Sequence, residues 1–389
     1  MSQVLKVEKV ESFIVDIPTI RPHVLAMTTM STQAMVIIRL LCSDGVEGLG
    51  EATTIGGLSY GQESPESIKL TIDSYIAPIL ALCDPSRPAA VMAAIGKAVT
   101  GNHFAKCAVE TALLDAMGKR HGLAVSELLG GRVCDRLAVL WTLASGDTQS
   151  DIEEADKMLE QRRHRAFKIK IGKRPLAEDV AHVAAIKLAV GDRASIRVDV
   201  NQAWDEVTAK RGMAMLADVG VDLVEQPIPG TNRAAMARLK AMSGIPLMAD
   251  EALHGPSDAF DFASSGCADV FSVKIAQSGG LSAGKAVSHI AEAAGVALYG
   301  GTMLEGGIGT AASAQLFSTF AKISFGTELF GPLLLTEEIL AKPLTYSDFN
   351  LILPIGAGIG VSLDEDAVAA FRRDRTVRSI VTFPKALEV

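Results

Sequence analysis

From about residue 137 to residue 329 the chain alternates between short apolar runs and longer segments whose apolar residues recur at helical spacing. The segment after the sixth run shows this clearly, because Val287, Ile290 and Ala291 share one helical face and Gly295 ends it. Eight apolar runs are candidate strands: LAVLWTL, AFKIKIG, SIRVDV, DLVEQ, PLMAD, VFSVKI, VALYGG and ISFGTEL. Eight strands alternating with helices predict an α/β barrel of the (β/α)8 type, whose functional residues lie at the C-terminal strand ends.

The first third of the chain does not share this repeat. The run ESFIVDIPTI predicts a strand, and AMVIIRLLC and VEGLGEATT predict a hairpin that turns at Asp44-Gly45. Helices are predicted over 64–82, with Pro65 in the first turn, and over 103–121. A sheet followed by helices predicts a separate α+β unit.

After the last apolar run the alternation ends. SDFNLILP predicts a strand and residues 364–373 a short helix, and we expect this tail to pack back on the N-terminal unit. The sequence therefore predicts an N-terminal α+β capping domain at 1–132, a barrel catalytic domain at 133–345, and a C-terminal segment at 346–389 that returns to the capping domain.

Composition narrows the class of protein. The 389 residues are 49% hydrophobic and carry a net charge of −8, with scattered acidity, which argues against a nucleic-acid partner. No apolar segment is long enough to span a bilayer, and the N-terminus MSQVLKVEKVESF has no apolar core of a signal peptide. The five cysteines are an odd number without a CxxC motif, as expected for reduced thiols. We therefore expect a cytoplasmic protein that acts on a small molecule.

Three single acidic residues each close one of the predicted strands. Asp199, Glu225 and Asp250 lie 26 and 25 residues apart, which is the length of one strand plus one returning helix. Each has an ordinary interpretation as a helix N-cap or a loop residue. In successive barrel repeats, however, their carboxylates are expected to face one point, which suits a hard divalent cation. The adjacent Glu251 is expected to point elsewhere, because side chains alternate along a strand.

Lysines accompany these acids on the predicted barrel interior. Lys168 and Lys170 share one face of the second strand, and Lys274 faces them from the sixth. A solvated strand edge, or a long side chain that reaches the rim, would also explain them. Inside a barrel, lysines beside a cation suit proton transfer and stabilisation of negative charge. Glu328, at the end of the eighth strand, is either a turn residue or a hydrogen-bond partner of a substrate oxygen.

Two loop-like segments of the first third are candidates for a lid over the barrel mouth. TIRPHVL contains Arg21 and His23, and TTIGGLSYG contains Ile55 and Tyr60. Ordinary connecting loops are the alternative. As a lid, they would govern which substrate is accepted rather than the chemistry.

Together these residues resemble the enolase superfamily, and within it the muconate-lactonising subgroup. The matching pattern is KxK (Lys168, Lys170), the D, E, D ligands described above, and a lysine at 274 in place of the His-Asp pair of the mandelate-racemase subgroup. The segments TIRPHVLAM, GEATTIGG, WTLASGDT, YGGTMLEG and GTELFGPLLLTEE extend the resemblance over nearly the whole chain. It implies a modified barrel, (β/α)7β, with Mn²⁺ or Mg²⁺ bound.

The resemblance also implies a reaction. One carboxylate of a cis,cis-muconate dianion would add to its own diene and close a lactone, Lys274 would stabilise an enolate-like species, and Lys170 would protonate the α-carbon. It further implies a large homo-oligomer, often an octamer. Chlorinated muconates remain possible substrates, and racemisation or epimerisation of acylated amino acids or dipeptides would use the same two lysines. A Schiff-base aldolase without a metal and a non-catalytic barrel are the alternatives from other classes.

Overall fold

The computed structural model describes residues 4–373 of the chain, so the part of the predicted C-terminal segment from residue 374 onward lies outside the described residues. Within this range no helix combines the length and the apolar composition needed to cross a bilayer. All five cysteines lie in it and are free thiols, three of them buried.

The N-terminal unit begins with a three-stranded antiparallel sheet in the order β1-β2-β3: Val7–Val24, Thr29–Cys42 and Glu47–Thr53. The predicted hairpin is confirmed, because Gly45 adopts a φ of 81° in the turn between β2 and β3. Helices α1 to α5 follow, with a π-helical turn at Ile72–Ile76 between the first two: Pro65–Thr71, Ala77–Leu80, Pro88–Ala98, His103–His121 and Val125–Leu128. The predicted helix over 64–82 thus has an irregular centre, and α3 was not predicted.

The sheet packs on α4 through two glycines of β3. A Cβ atom added to Gly48 or Gly50 would lie 2.0 Å from the carbonyl oxygens of Ala112 and Ala108, respectively. Only glycine permits this close approach of a strand to a helix.

The barrel is a seven-stranded parallel sheet in sequential order from β5 to β11. Its strands are Trp141–Leu143, Ala166–Lys170, Ser195–Asp199, Leu223–Glu225, Leu247–Ala249, Val270–Val273 and Ala297–Gly300, and β4, Arg136–Ala138, precedes them. Helices α6 to α13 connect or follow these strands: Thr148–Glu160, Leu176–Val190 (extended by a 3-10 turn at Gly191–Arg193), Glu206–Val219, Arg233–Met242, Pro256–Ser264, Ile275–Ser278, Leu281–Ala294 and Gly307–Phe317.

The eighth strand is reduced to one residue. Thr327 forms single parallel bridges to Gly300 on one side and to Val139 on the other, so it closes the barrel between the last and first strands. The predicted run LAVLWTL is not one strand, because Val139 and Leu140 separate β4 from β5 and bond instead to Phe349 and Thr327. The predicted α/β barrel with an α+β cap is nevertheless confirmed.

The described part of the tail contains α14 (Gly331–Leu334), β12 (Tyr346–Ser347), β13 (Asn350–Ile352) and α15 (Glu365–Phe371). β13 pairs with both β12 and β4, so the predicted tail strand lies in a small sheet beside the barrel. Asp364 caps α15 through its side chain. Arg372 then bridges to Val15 of β1, and Arg373 bonds both carboxylate oxygens of Asp16, which brings the tail back to the N-terminal sheet.

Candidate active site

The three predicted metal ligands lie at the C-terminal ends of consecutive barrel strands. Asp199 is the last residue of β7, Glu225 is the last of β8, and Asp250 directly follows β9. Asp199 pairs with Glu225 in the parallel register, and each of the three residues is only 1% exposed. The structure therefore places three acids together at one end of the barrel, in a position closed to bulk water.

Lys168 lies between these acids. Its Nζ is 2.9 Å from an oxygen of Glu225 and 3.4 Å from an oxygen of Asp199, and it also contacts Glu328. Glu328 is 3% exposed and follows the bridging residue Thr327, so it reaches the site from the closing strand. One ammonium group thus links three strands of the barrel.

Lys170 and Lys274 lie on opposite sides of the cluster that Lys168 forms with the acids. Lys170 Nζ donates to Asp199 at 2.5 Å and to Asn201 at 3.2 Å. Lys274 Nζ donates to Asp250 at 2.7 Å and to the hydroxyl of Tyr60 at 2.6 Å. The predicted convergence of the three lysines and three acids is therefore present in the fold, whereas their catalytic and ligand roles stay predictions.

The charges perturb one another strongly. Burial alone would lower the pKa of Lys168 and of Lys274. The surrounding carboxylates instead raise the pKa of Lys168 well above its ordinary value, and they also raise the pKa of Lys274. Burial would raise the pKa of Asp199, yet Lys170 and Lys168 hold it low. Glu225 differs, because burial and the neighbouring Asp199 outweigh Lys168 and raise its pKa well above the ordinary range. The site therefore contains charged lysines together with one carboxyl group, that of Glu225, whose positive neighbours do not offset its burial.

These residues fit a divalent cation. Among residues 4–373 no group of three acidic, histidine or cysteine side chains is already arranged to bind a metal ion. Lysines instead form ion pairs with the acids of the site. However, Glu225 Oε1 and Asp250 Oδ1 are buried oxygen atoms without a hydrogen-bond partner. Unpartnered buried carboxylate oxygens are costly, and they are the donors that hard divalent cations prefer. A cation there would also relieve the repulsion that raises the pKa of Glu225.

Three of the four predicted lid residues line the cavity above these charges. His23 and Ile55 are 1% and 6% exposed and face it together with Tyr60. Burial, and the nearby Arg21, Lys170 and Lys168, lower the pKa of His23 well below its ordinary value, so its imidazole is neutral. The lid therefore supplies one neutral ring, one apolar side chain and one phenol.

Arg21 requires a correction, since it does not line this cavity. Its guanidinium bonds both carboxylate oxygens of Glu154, at 2.9 and 3.0 Å, and the carbonyl oxygen of Thr142 at 3.0 Å. An arginine forms such a two-pronged pair only when its fork faces a carboxylate squarely. Arg21 thus anchors the strand that carries His23 to the barrel instead of facing the site.

Tyr60 is more central than a lid residue was expected to be. Its hydroxyl lies 2.8 Å from Asp250 and accepts from Lys274, and the ammonium lies 4.6 Å from the centre of its ring. Burial and the nearby Asp250 raise the pKa of Tyr60 well above its ordinary value, which keeps the phenol protonated. The N-terminal unit therefore takes part in the charge network itself.

Sequence reasoning missed Asn201. Its amide oxygen accepts from Lys170, and its amide nitrogen donates to Glu251 at 3.0 Å and to Asp199 at 3.3 Å. Asn201 has a φ of 45°, a left-handed conformation that asparagine tolerates better than most residues. An asparagine two positions after a strand-ending acid was the available signal. Glu251 shares Asn201 with Asp199, and burial together with the nearby Asp250 raises its pKa to about 8.

Two family models match the chain. "Mandelate racemase / muconate lactonizing enzyme, N-terminal domain" matches residues 9–130, and "Enolase C-terminal domain-like" matches residues 150–367. Muconate cycloisomerase 1 of Pseudomonas putida is 58% identical over 375 residues, which cover 96% of this chain and 100% of the relative. Muconate cycloisomerase 1-2 of Acinetobacter lwoffii is 57% identical and covers 97% of this chain and 98% of the relative.

Solved structures and more distant relatives agree. The muconate lactonizing enzyme of Pseudomonas fluorescens, solved in complex with muconolactone, superposes with a TM-score of 0.94 at 59% identity and covers 95% of this chain and 100% of that one. A chloromuconate cycloisomerase of Cupriavidus necator is 43% identical and covers 95% of this chain and 100% of the relative. The chain therefore belongs to the mandelate racemase / muconate lactonizing enzyme family of the enolase superfamily.

Proposed function

We propose that this chain is a muconate cycloisomerase, which reversibly converts cis,cis-muconate to muconolactone in the degradation of aromatic compounds through catechol and β-ketoadipate. The single observation that carries the proposal is the match at 54% to 58% identity, over nearly the full chain, to relatives named muconate cycloisomerase. The convergence of three lysines with buried carboxylates supports it, because the reaction of a dianion requires concentrated positive charge.

The lysines have distinct roles in this proposal. One substrate carboxylate oxygen forms a bond to the β-carbon of the other carboxylate, which closes a five-membered ring, and the π-electron pair of that double bond moves to the α-carbon of this other carboxylate. Lys274, fixed by Asp250 and Tyr60, stabilises the negative charge that develops there. Lys170 donates its proton to the α-carbon, so one proton is taken up as the dianion becomes a lactone with one carboxylate, and solvent restores it. Lys168 and Glu328 hold the surrounding charges in place.

Members of the enolase superfamily use divalent metal ions. We propose that Asp199, Glu225 and Asp250 hold the ion, and that it is Mn²⁺ or Mg²⁺, which both favour carboxylate oxygens. Such an ion supplies positive charge opposite the substrate carboxylate on which electrons accumulate.

The cavity favours an unsubstituted diene. Ile55 is buried at 6% exposure in the wall of the cavity, and a smaller side chain at this position would make room for a chlorine atom. A racemase or epimerase would also need Lys170 and Lys274, as two bases on either side of one carbon. The lid segments TIRPHVLAM and GEATTIGG, which resemble those of muconate-lactonising enzymes, argue against that alternative.

The remaining proposals concern organisation. We place the protein in the cytoplasm as a homo-oligomer, for which an octamer is the expected size, and light scattering measures that size directly. The three-segment division at 1–132, 133–345 and 346–389 is proposed as well, since β13 and α15 connect the tail to both other segments.

The decisive experiment follows the ultraviolet absorbance of cis,cis-muconate, because lactonisation destroys the conjugated diene. We expect absorbance to fall with the purified protein, to stop falling with chelator, and to resume with Mn²⁺ or Mg²⁺. Lys322→Gln, a charge removal at the opposite end of the barrel, is the matched control for non-specific loss. Stable diene absorbance with metal-loaded protein would refute the proposed reaction, and full activity in a sample free of metal by elemental analysis would refute the metal requirement.

A further inference from the structure

A second cavity adjoins the candidate active site. It lies between the C-terminal ends of β5 and β6 on one side and the loop after β1 on the other, and it encloses about 360 Å³. Leu25 and Lys170 line both this cavity and the smaller one above the carboxylates. The two spaces therefore share a wall, and the proposed proton donor is part of it.

Lys170 is also the site lysine that solvent reaches most easily. Its side chain is 11% exposed, against 4% for Lys168 and 3% for Lys274. Because Lys170 faces the second cavity and the other two do not, the site opens to water on this side.

The mouth of this cavity carries positive charge. Lys173 is exposed and Arg174 is half-buried, and neither forms an ion pair with any residue between 4 and 373. Arg174 donates to the carbonyl oxygen of Gly146, which holds its guanidinium at the rim. Together with Lys170 they form a row of three cations that begins in solvent and ends at the reacting centre.

The acids near the cavity offset this row only in part, since Arg174 interacts electrostatically with Asp179 and with the exposed Asp147. Asp151 is 1% exposed and accepts the backbone N–H of Ser145, with His182 3.4 Å away. Asp179 is 2% exposed and accepts the backbone N–H of Gly172 at 2.7 Å. Both carboxylates are therefore used to hold the loops that shape the cavity, below its rim.

Another cavity has the opposite character. It encloses about 760 Å³ on the far side of Tyr60, and Glu63 and Glu251 line it without any lysine or arginine. This cavity offers a dianion no lysine or arginine, whereas the row of cations attracts it.

We propose that the cavity at Lys170 is the entrance for the dicarboxylate substrate, and that Lys173 and Arg174 steer the dianion from solvent to Lys170. The inference rests on the proposed function. It assigns a binding role to two residues outside the candidate chemistry, with the loop that carries Leu25 as the opposite wall of the passage.

The test is the ionic-strength dependence of kcat/KM for cis,cis-muconate in Lys173→Gln, Arg174→Gln and Lys173→Glu. One unit charge about 10 Å from a dianion in water changes the association rate by about threefold at low salt, and a charge reversal by about sevenfold. We expect these losses in kcat/KM, mostly through KM, and we expect them to vanish near 1 M salt.

Arg174→Lys should keep the wild-type value because it keeps the charge. Lys322→Gln is the matched control, as an exposed lysine without an ion pair among the described residues.

The outcomes separate the two proposals. Wild-type protein that leaves muconate unchanged would overturn the proposed function and this inference with it. Wild-type turnover combined with variants that match Lys322→Gln at low salt would overturn the entrance alone. A loss in Lys173→Gln that persists unchanged at high salt would also overturn it, because electrostatic steering is screened by salt.

Discussion

Glu51 joins the N-terminal unit to the barrel, and its replacement is the sharpest test of how the two are held together. The residue lies in β3 and is 2% exposed. Its carboxylate accepts the N–H of Gly306 at 2.6 Å, the N–H of Gly309 at 2.8 Å and the hydroxyl of Thr53 at 2.7 Å. The two glycines lie at the start of α13, so an acid from the cap satisfies the first backbone donors of a barrel helix.

The cost of Glu51→Gln follows from these contacts. Glutamine has one acceptor oxygen, and its NH₂ group cannot accept from an N–H, so one of the two glycine amides loses its partner. A buried unpaired donor costs about 1–3 kcal/mol, and Glu51→Ala, which removes both acceptors, should cost roughly twice that.

The cost depends on pH in a direction that the structure fixes. Burial raises the pKa of Glu51 to about 7, from an ordinary 4.5. Between these pH values the Glu51 carboxyl is protonated in the folded protein and ionised in the unfolded chain. The free energy of unfolding therefore falls as pH rises, by about 3 kcal/mol in total. Above pH 7 this contribution is constant. Glutamine does not titrate, so between pH 5 and pH 8 the free energy of unfolding of wild type should fall by roughly 2 to 3 kcal/mol relative to that of Glu51→Gln.

Two measurements check this. Urea unfolding followed by tryptophan fluorescence at pH 5 to 8 gives the free energy of unfolding, and hydrogen exchange of residues 306–317 gives the local effect. Glu63→Gln is the matched control, because Glu63 accepts the amides of Phe104 and Ala105 at the start of α4, inside the N-terminal unit. It should weaken protection in α4 and leave 306–317 unchanged. A pH slope in Glu51→Gln identical to wild type would refute the reasoning.

Four further substitutions test the candidate site. Lys170→Ala should lower both turnover and deuterium exchange of the product α-proton by about 10²- to 10⁴-fold, and normal exchange would contradict its role as proton donor. Asp250→Asn should weaken Mn²⁺ binding by at least about tenfold, measured by paramagnetic resonance of the free ion, and unchanged affinity would remove it from the ligand set. Tyr60→Phe removes one charge-assisted hydrogen bond to Lys274, and kcat should fall about tenfold; an unaltered kcat would leave Tyr60 as a lid residue only. Ile55→Ala should raise the kcat/KM ratio of chlorinated to unsubstituted muconate, whereas a uniform fall on both substrates would show that this loop does not distinguish them.

The sequence predicts the barrel well because its strands are short, apolar and evenly spaced. It predicts the first strand poorly. The run LAVLWTL has the continuous apolar pattern of a buried strand, but its first half pairs with the tail at Asn350–Ile352 and only Trp141–Leu143 enters the barrel. Leu137 of the first half and all of Trp141–Leu143 are buried. An apolar pattern predicts such burial, but it does not predict which strand each half pairs with.

The acids and lysines of the site were also accessible from the sequence, since spacing fixes the strand ends on which they lie. Asn201 and Glu51 were not identified, for different reasons. Asn201 adopts a left-handed conformation just after a strand, where a polar residue is ordinarily interpreted as part of a turn. Glu51 lies 255 residues from the Gly306 amide that it binds, and no local pattern carries a contact of that separation.

Tyr60 shows why specificity and chemistry cannot be assigned to separate units of this protein. The sequence places it on a lid that carries none of the predicted ligands or lysines, and predicts that this lid governs which substrate is accepted rather than the chemistry. Its hydroxyl instead forms hydrogen bonds with Lys274, which is proposed to stabilise negative charge, and with Asp250, which is a proposed metal ligand. β3 leads directly into this loop, and Glu51 docks β3 onto α13. The position of the phenol beside Lys274 therefore depends on how firmly the cap is docked on the barrel. Glu51→Ala, although it touches no substrate, should for this reason lower kcat in the same direction as Tyr60→Phe, and the two changes combined should cost less than the product of their separate effects.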